Sequence, residues 1–290
     1  MIPRHIYTFW EPKDSIPAYL RLCMHTWKTN APDFKITVLD YSTIEPYLIK
    51  AGYPLDRFFK LPLPLQKDAV MAAVLLEKGG IFMDVDTLIL RDFQPVLETL
   101  QKSEIVMFST HLAFMAAKPG AALIPIWARQ IKEKLEQTEP DRLTEANWNF
   151  VGNSITNALF EDSPVNFVTR LNKYKFAFTP ESLRFSGKGS TRHQYQVYWF
   201  ERRDQSAPFY QNQFLIALHN SWTPDWYKQL TEDEVLEREC LLSATLENVL
   251  HKRHKNFKAK PVPTIQKHKR STLIGLKALI IFQRIKWLFK

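Results

Sequence analysis

Two aspartates one residue apart, Asp84 and Asp86, stand in an otherwise apolar run, "EKGGIFMDVDTLILRD" at residues 77–92. In an extended strand, residues i and i+2 face the same side. A strand through "IFMDVD" therefore sets two carboxylates side by side against buried surface. Such a pair is costly unless a cation or a row of donors neutralises it. The pair follows Gly79-Gly80, and glycine is the usual C-terminal stop of a helix. Upstream, "LPLPLQKDAVMAAVLLEK" predicts that helix. Pro64 suits its first turn, and Ala69, Ala72, Ala73 and Leu76 recur at helical spacing on a buried face. Asp68 rides on the same helix. The aspartates thus fall at the C-terminal end of a strand, where open α/β sheets place their ligands.

The preceding segments support that placement. "HIYTFW" reads as a first strand, a proline-containing loop leads into a helix around Ala18–Lys28, and "FKITVLD" reads as a second strand. Strand–helix–strand order suggests a parallel sheet of nucleotide-binding type. Beyond the aspartates come a strand at "EIVMF", a helix around Ile124–Gln137 and an irregular middle. A strand at "QFLIALHNSW" and one helix over Glu232–Leu250 follow. The polar, aromatic and basic stretch at residues 184–205 reads either as an acceptor-binding or lid region or as a solvated insertion with a hairpin.

The chain has 290 residues, enough for one large α/β domain or two small ones with a sizeable core. Its two cysteines, Cys23 and Cys240, form no zinc-binding or disulfide pattern, which suits a reducing compartment. "MIPRHIYTFW" lacks the apolar core of a signal peptide, so the expected location is the cytoplasm. The net charge of +9 is unevenly spread: His251–Lys290 holds 12 Lys/Arg and no Asp/Glu, leaving 27 basic against 30 acidic residues in 1–250. A slightly acidic body argues against a nucleic-acid-binding function. The expected organisation is a catalytic domain over 1–250 followed by a basic linker and amphipathic helix over 251–290. The final "STLIGLKALIIFQRIKWLFK" is too interrupted by charge to span a bilayer. It suits a helix lying on an anionic membrane surface, with Trp287 and Phe289 as anchors, on the inner face of the plasma membrane; packing against the body is the alternative.

Together, "QKDAVMAAVLLEKGGIFMDVD" resembles the core signature of DxD-containing sugar-nucleotide glycosyltransferases. The resemblance is to the capsular polysaccharide and Och1-type sugar transferases (glycosyltransferase family 32-like), and more distantly to clostridial glucosylating toxins. Asp68, Gly79, Gly80, Asp84 and Asp86 match in order and spacing. "IPRHIYTFW", "WKTNAPDFKITVLD" and "HNSW" (His219–Trp222) resemble further family segments, so the resemblance covers about residues 1–222. It implies a GT-A type, Rossmann-like mixed sheet flanked by helices. It also implies a UDP-sugar donor, Mn²⁺ or Mg²⁺ as cofactor, and retention of anomeric configuration. Mapped onto this chain, Asp86 is the direct metal ligand and His219 a second. Asp84 contacts ribose or sugar, or reaches the metal through water, Asp68 bonds donor hydroxyls, Trp10 stacks on uracil, and Ser221 and Trp222 touch the diphosphate. Asp84 and Asp86 are the catalytic pair. One departure stands out: where the family carries Arg, three residues after the helix Asp, this chain has Met71.

Each residue also has a structural reading: Asp68 as a solvated helix residue, His219 as a core histidine, Trp10 and Trp222 as core rings. Asp204 and Asp225 are further carboxylates that could approach the anomeric carbon. A lipid-linked or oligosaccharide acceptor in surface polysaccharide assembly fits the tail. Three other readings compete: a metal-dependent phosphatase, an inactive sugar-nucleotide-binding protein, and a toxin-like transferase acting on protein. The phosphatase of haloacid-dehalogenase type wants Thr or Val two places after its second Asp. Here Leu88 stands there, with Thr87 one position early.

Overall fold

The computed structural model describes residues 2–109, 111–161, 163–171, 177–179, 189–201 and 213–251. The basic tail beyond His251, Asp204 and the two ends of the 184–205 stretch (184–188 and 202–205) lie outside the described residues. The rest of that stretch is helical from Thr191 to Glu201, with Tyr195, Trp199 and Phe200 buried. There it is neither a hairpin nor a solvated insertion, because its rings pack into the core. The elements run β1 (His5–Phe9), α1 (Ala18–Asn30), β2 (Lys35–Leu39), α2 (Tyr41–Lys50), α3 (Leu55–Phe58), α4 (Leu63–Lys78), β3 (Gly80–Met83), β4 (Thr87–Ile89), α5 (Gln94–Lys102), β5 (Ile105–Phe108), β6 (His111–Ala117), α6 (Leu123–Gln137), α7 (Pro140–Thr144), α8 (Asn153–Phe160), β7 (Val168–Leu171), β8 (Ala177–Phe178) and β9 (Leu215–Ala217), with short helices around them.

Six strands form one mixed sheet in the order β2-β1-β3-β6-β5-β7. β1 pairs in parallel with β2 and β3, while β6 runs antiparallel to β3 and β5. Helices cover the sheet: α2, α4, α6 and α8 share one apolar cluster with one face of it, and α5 and Trp27 of α1 share another with the opposite face. This is the expected α/β architecture of a mixed sheet flanked by helices. Strand β6, "HLAFMAA", is not evident in the sequence. All of its residues from Leu112 to Ala117 are buried, so it lacks the alternation that marks a half-exposed strand.

Helix α4 is apolar around most of its circumference, with Leu65, Ala69–Leu75 and Asp68 all buried. It stops at Gly79, whose φ of +61° is a left-handed value that side chains resist. A Cβ there would also meet the Pro119 nitrogen at 2.6 Å and the Ala117 oxygen at 2.9 Å.

The strand expected to run through Asp86 ends earlier. β3 stops at Met83, the Asp84 N–H donates to Ala113 O at 2.9 Å, and Thr87 N–H closes a turn onto Asp84 O at 3.1 Å. The chain then continues as β4 in a second sheet, ordered β4-β9-β8. Asp84 and Asp86 therefore lie in a turn between two sheets rather than on one face of a strand, with the Val85 side chain between them buried. β4 pairs antiparallel with β9, Thr87 opposite Ala217 and Ile89 opposite Leu215. Its other edge is closed by side chains of α1. Trp27 Nε1 donates to Thr87 O (2.5 Å), Asn30 Nδ2 donates to Ile89 O (2.8 Å), and Thr26 Oγ1 accepts from Ile89 N–H (2.9 Å).

The single helix expected over Glu232–Leu250 is two, Glu232–Glu237 and Leu241–Leu250. The first is held by a Thr231–Glu234 capping box. The break at Arg238–Cys240 lets the second turn Leu241, Leu242, Leu246 and Val249 into the core beside α1. Cys23 and Cys240 are both buried free thiols.

Gly79→Ala should destabilise the fold by about 2 kcal/mol or more, since both the backbone angle and the packing oppose a methyl group. Urea unfolding measures this as a lowered midpoint.

Candidate active site

A cavity of about 340 Å³ opens where β1 and β3 end. Trp10 and Glu11, just after β1, line it, as do Lys67 and Asp68 of α4, the Asp84–Asp86 turn, the start of β6, the Trp148–Asn153 segment and the Leu218–Ser221 loop. Residues far apart in sequence meet here because β4 and β9 pair. One strand leaves the aspartate turn and the other delivers the "HNSW" loop.

That loop is tied directly to Asp86. Leu218 N–H donates to the Asp86 carbonyl at 2.9 Å, and Asn220 N–H donates to Asp86 Oδ2 at 2.8 Å. Two tyrosines brace it from behind: Tyr19 OH donates to Asn220 Oδ1 at 2.6 Å, and Tyr195 OH accepts from His219 N–H at 3.2 Å. His219 Nδ1 pairs with Ser221 Oγ at 2.9 Å, and its ring stacks on Trp222 at 3.9 Å and 2°. A hydrogen bond at one ring nitrogen fixes the orientation in which the other is presented.

Two carboxylates share one lysine. Lys67 Nζ lies 2.7 Å from Asp68 Oδ1, 2.9 Å from Asp84 Oδ1 and 3.4 Å from Leu112 O. The ammonium thus sits among three protein oxygens, two of them anionic. Burial pulls its pKa down, but Asp68 and Asp84 more than offset this and hold it above the ordinary lysine value. Burial raises Asp68, with Lys67 opposing. Gly152 lets the start of α8 close on Asp68: a Cβ there would sit 2.2 Å from Asp68 Oδ2. Asp86 has no ion pair among the described residues. Burial, and then the Asp84 charge, push its pKa up to about 7 against the Asn220 N–H.

An enclosed carboxylate raised by a like charge is a site that a cation would relieve. Among the described residues, no three Asp, Glu, His or Cys side chains gather closely enough to hold a metal alone. The donor set of Asp86, with His219 on the same wall, fits a hard divalent ion that takes its remaining ligands from phosphate oxygens and water.

The cavity thus brings together Trp10, Asp68, Asp84, Asp86, His219 and Ser221. Trp222 lies behind, backing His219 and edge-on to Tyr195 at 5.8 Å. Met71 is fully buried in the core, and the positive charge beside Asp68 comes from Lys67. Asp225 is exposed, paired with Lys228 at 3.1 Å, and does not line the cavity. Sequence reasoning missed Lys67, Trp148, Asn149, Asn153 and the bracing tyrosines. Lys67 carried a usable signal, being a basic residue beside Asp68 on an otherwise apolar helix.

Residues 17–104 match the family model described as "Glycosyltransferase sugar-binding region containing DXD motif". The match spans α1 to α5 and includes Asp68, Asp84 and Asp86. No curated protein sequence matches the chain. Three solved structures are similar at low identity. A galactosyltransferase in complex with donor and acceptor sugar analogues is 13% identical, with 89% of this chain and 97% of that one covered and a TM-score of 0.46. A glycosyltransferase involved in glycosylation of the major capsid of PBCV-1 is 10% identical, covering 84% and 98%, with a TM-score of 0.42. The glycosyltransferase GlyE of Streptococcus pneumoniae TIGR4 is 12% identical, covering 90% and 66%, with a TM-score of 0.41.

Lys67→Met strands two enclosed carboxylates, and at pH 8 it should lower stability by about 3 kcal/mol or more. Burial, no longer opposed by Lys67, then raises Asp68 further, so the loss shrinks as pH falls and Asp68 takes up a proton. Urea unfolding at pH 8 and again at about pH 5 measures the difference. Asp86 carries a penalty of the same sign in the metal-free protein, full above about pH 7 and fading towards its ordinary value of 3.8. Metal-free Asp86→Asn, whose amide oxygen still accepts from Asn220, should exceed wild-type stability at pH 8 by on the order of 1 kcal/mol. The two proteins should converge near pH 4.

Proposed function

We propose that this DXD-containing glycosyltransferase, of GT-A type, moves a sugar from a UDP-linked donor to a saccharide acceptor with the help of Mn²⁺ or Mg²⁺. The observation that carries the reading is the junction of Asp86 with the His219–Ser221 loop. There an enclosed carboxylate without a counter-ion among the described residues, an imidazole and a hydroxyl line one cavity.

The residues divide the work by charge. A departing nucleoside diphosphate gains negative charge, and a bound divalent ion supplies Lewis-acid stabilisation of it. Asp86 and His219 would hold that ion. Lys67 holds Asp68 and Asp84 in place at 2.7 and 2.9 Å, so their remaining lone pairs accept hydrogen bonds from ribose and donor-sugar hydroxyls. The Ser221 hydroxyl lies on the same wall as His219 and donates to the diphosphate, while Trp222 holds the His219 ring in place. Trp10 offers a ring face to the base. Its Nε1 is buried and has no hydrogen-bond partner among the described residues. Retention of configuration follows from the family resemblance.

The acceptor proposed is a lipid-linked or oligosaccharide chain in surface polysaccharide assembly. Support comes from the sequence of the tail, which joins a polybasic stretch to an apolar stretch with Trp287 and Phe289 near its end. Among the described residues, no helix is long and apolar enough to cross a membrane. The proposed location is the cytoplasmic face of the plasma membrane.

A screen of UDP-sugars should find at least one hydrolysed in a Mn²⁺- or Mg²⁺-dependent manner. Asp86→Asn should lower that rate by about a hundredfold or more. Aryl phosphate hydrolysis in its place would favour the phosphatase reading. Removing residues 265–290 should release the protein from vesicles containing anionic lipid, measured by co-sedimentation. Undiminished sedimentation would contradict the membrane role.

A further inference from the structure

Most tryptophan rings of known environment in this protein are buried or braced. Trp27, Trp127 and Trp199 are nearly inaccessible, and the half-exposed Trp226 lies under the Arg238 guanidinium at 4.8 Å. Trp148 differs. It is 63% exposed and lies on the cavity wall, in the segment between α7 and α8. Its ring is nearly parallel to that of His219, at 6.3 Å and 23°, and His219 itself lies flat on Trp222. Trp148 is thus the outermost member of an aromatic series that begins in the core and ends in solvent. Asn149 and Asn153 line the same wall, and Asn153 Oδ1 has no hydrogen-bond partner among the described residues.

An exposed large ring at a cavity mouth, with amides beside it, has the make-up of a ligand platform. The chemistry that fits is a pyranose: one ring face offers C–H groups to the indole, and the hydroxyl rim offers partners to the amides. Its place in the cavity decides which sugar. The ring contacted by Trp148 belongs to His219, on the loop bonded to Asp86, whereas Trp10 follows β1. A sugar on Trp148 therefore sits beside the carboxylate centre rather than at the base. The groups suited to donor hydroxyls, Asp68 and Asp84, are enclosed and locked to Lys67, while Trp148 faces the solvent from which an acceptor must enter and to which the product returns.

We propose that Trp148 is the stacking platform for the terminal pyranose of the acceptor, with Asn149 and Asn153 reading its hydroxyls. In the transfer, the acceptor hydroxyl oxygen replaces the diphosphate oxygen on the anomeric carbon, and its proton leaves with the diphosphate. This rests on the nucleotide-sugar reading above.

The test measures transfer and hydrolysis in the same reaction. The full chain is incubated with Mn²⁺, the UDP-sugar it hydrolyses, and methyl glycosides of glucose, galactose, mannose and N-acetylglucosamine in both anomers. Trp148→Ala should lower the ratio of transfer to hydrolysis by about tenfold or more, as expected for loss of one stacking ring, and Trp148→Phe should retain most of it. A donor-binding or purely structural role would lower both rates together and leave the ratio unchanged, which overturns the proposal. So does a wild-type enzyme that hydrolyses the donor yet glycosylates none of the glycosides. A wild type that hydrolyses no UDP-sugar at all contradicts the nucleotide-sugar reading itself, a result that is distinct from either.

Discussion

Three carboxylates and one ammonium in a half-enclosed cavity set the terms for everything around them. Lys67 balances Asp68 and Asp84 at 2.7 and 2.9 Å, and Asp86 is left over. In a low-dielectric setting that surplus is expensive unless a cation arrives. The fold keeps the arrangement by force of packing. α4 is clamped on nearly every side, β4 is closed by α1 on one edge and β9 on the other, and the β9 loop is bonded back onto Asp86.

The same constraint explains how distant segments come to act as one site. The aspartate turn leaves the main sheet with Val85 buried between its two carboxylates, and the strand it starts is short. Three residues of β4 would hold little by themselves, and their edge is satisfied by Trp27, Thr26 and Asn30. Pairing with β9 then fixes where His219 lies. Tyr19 and Tyr195 act through that loop as positioning residues.

Much of this was legible in the sequence where a local rule governs. Gly79 marked the end of α4, the apolar strand at "HIYTFW" marked β1, and Asp84 and Asp86 announced a charge problem. Features set by tertiary contact were not legible. Strand β6 is covered on both faces and lost its alternation, and Lys67 reads locally as a helix lysine until a turn 17 residues later supplies its second partner. Trp148 looked like any ring in an irregular stretch, because exposure at a cavity mouth leaves no periodic trace. The motif matched across residues 17–104 is therefore a good guide to the aspartates and a poor one to the wall facing them.

The central claim is that Asp86 awaits a cation which the protein holds jointly with a diphosphate. Calorimetric titration of UDP, with and without Mn²⁺, into wild type and Asp86→Asn addresses it directly. The account predicts that Mn²⁺ tightens UDP binding to the wild type by about tenfold or more, with little such gain in Asp86→Asn. UDP affinity that is indifferent to Mn²⁺, or equally enhanced in both proteins, would contradict it.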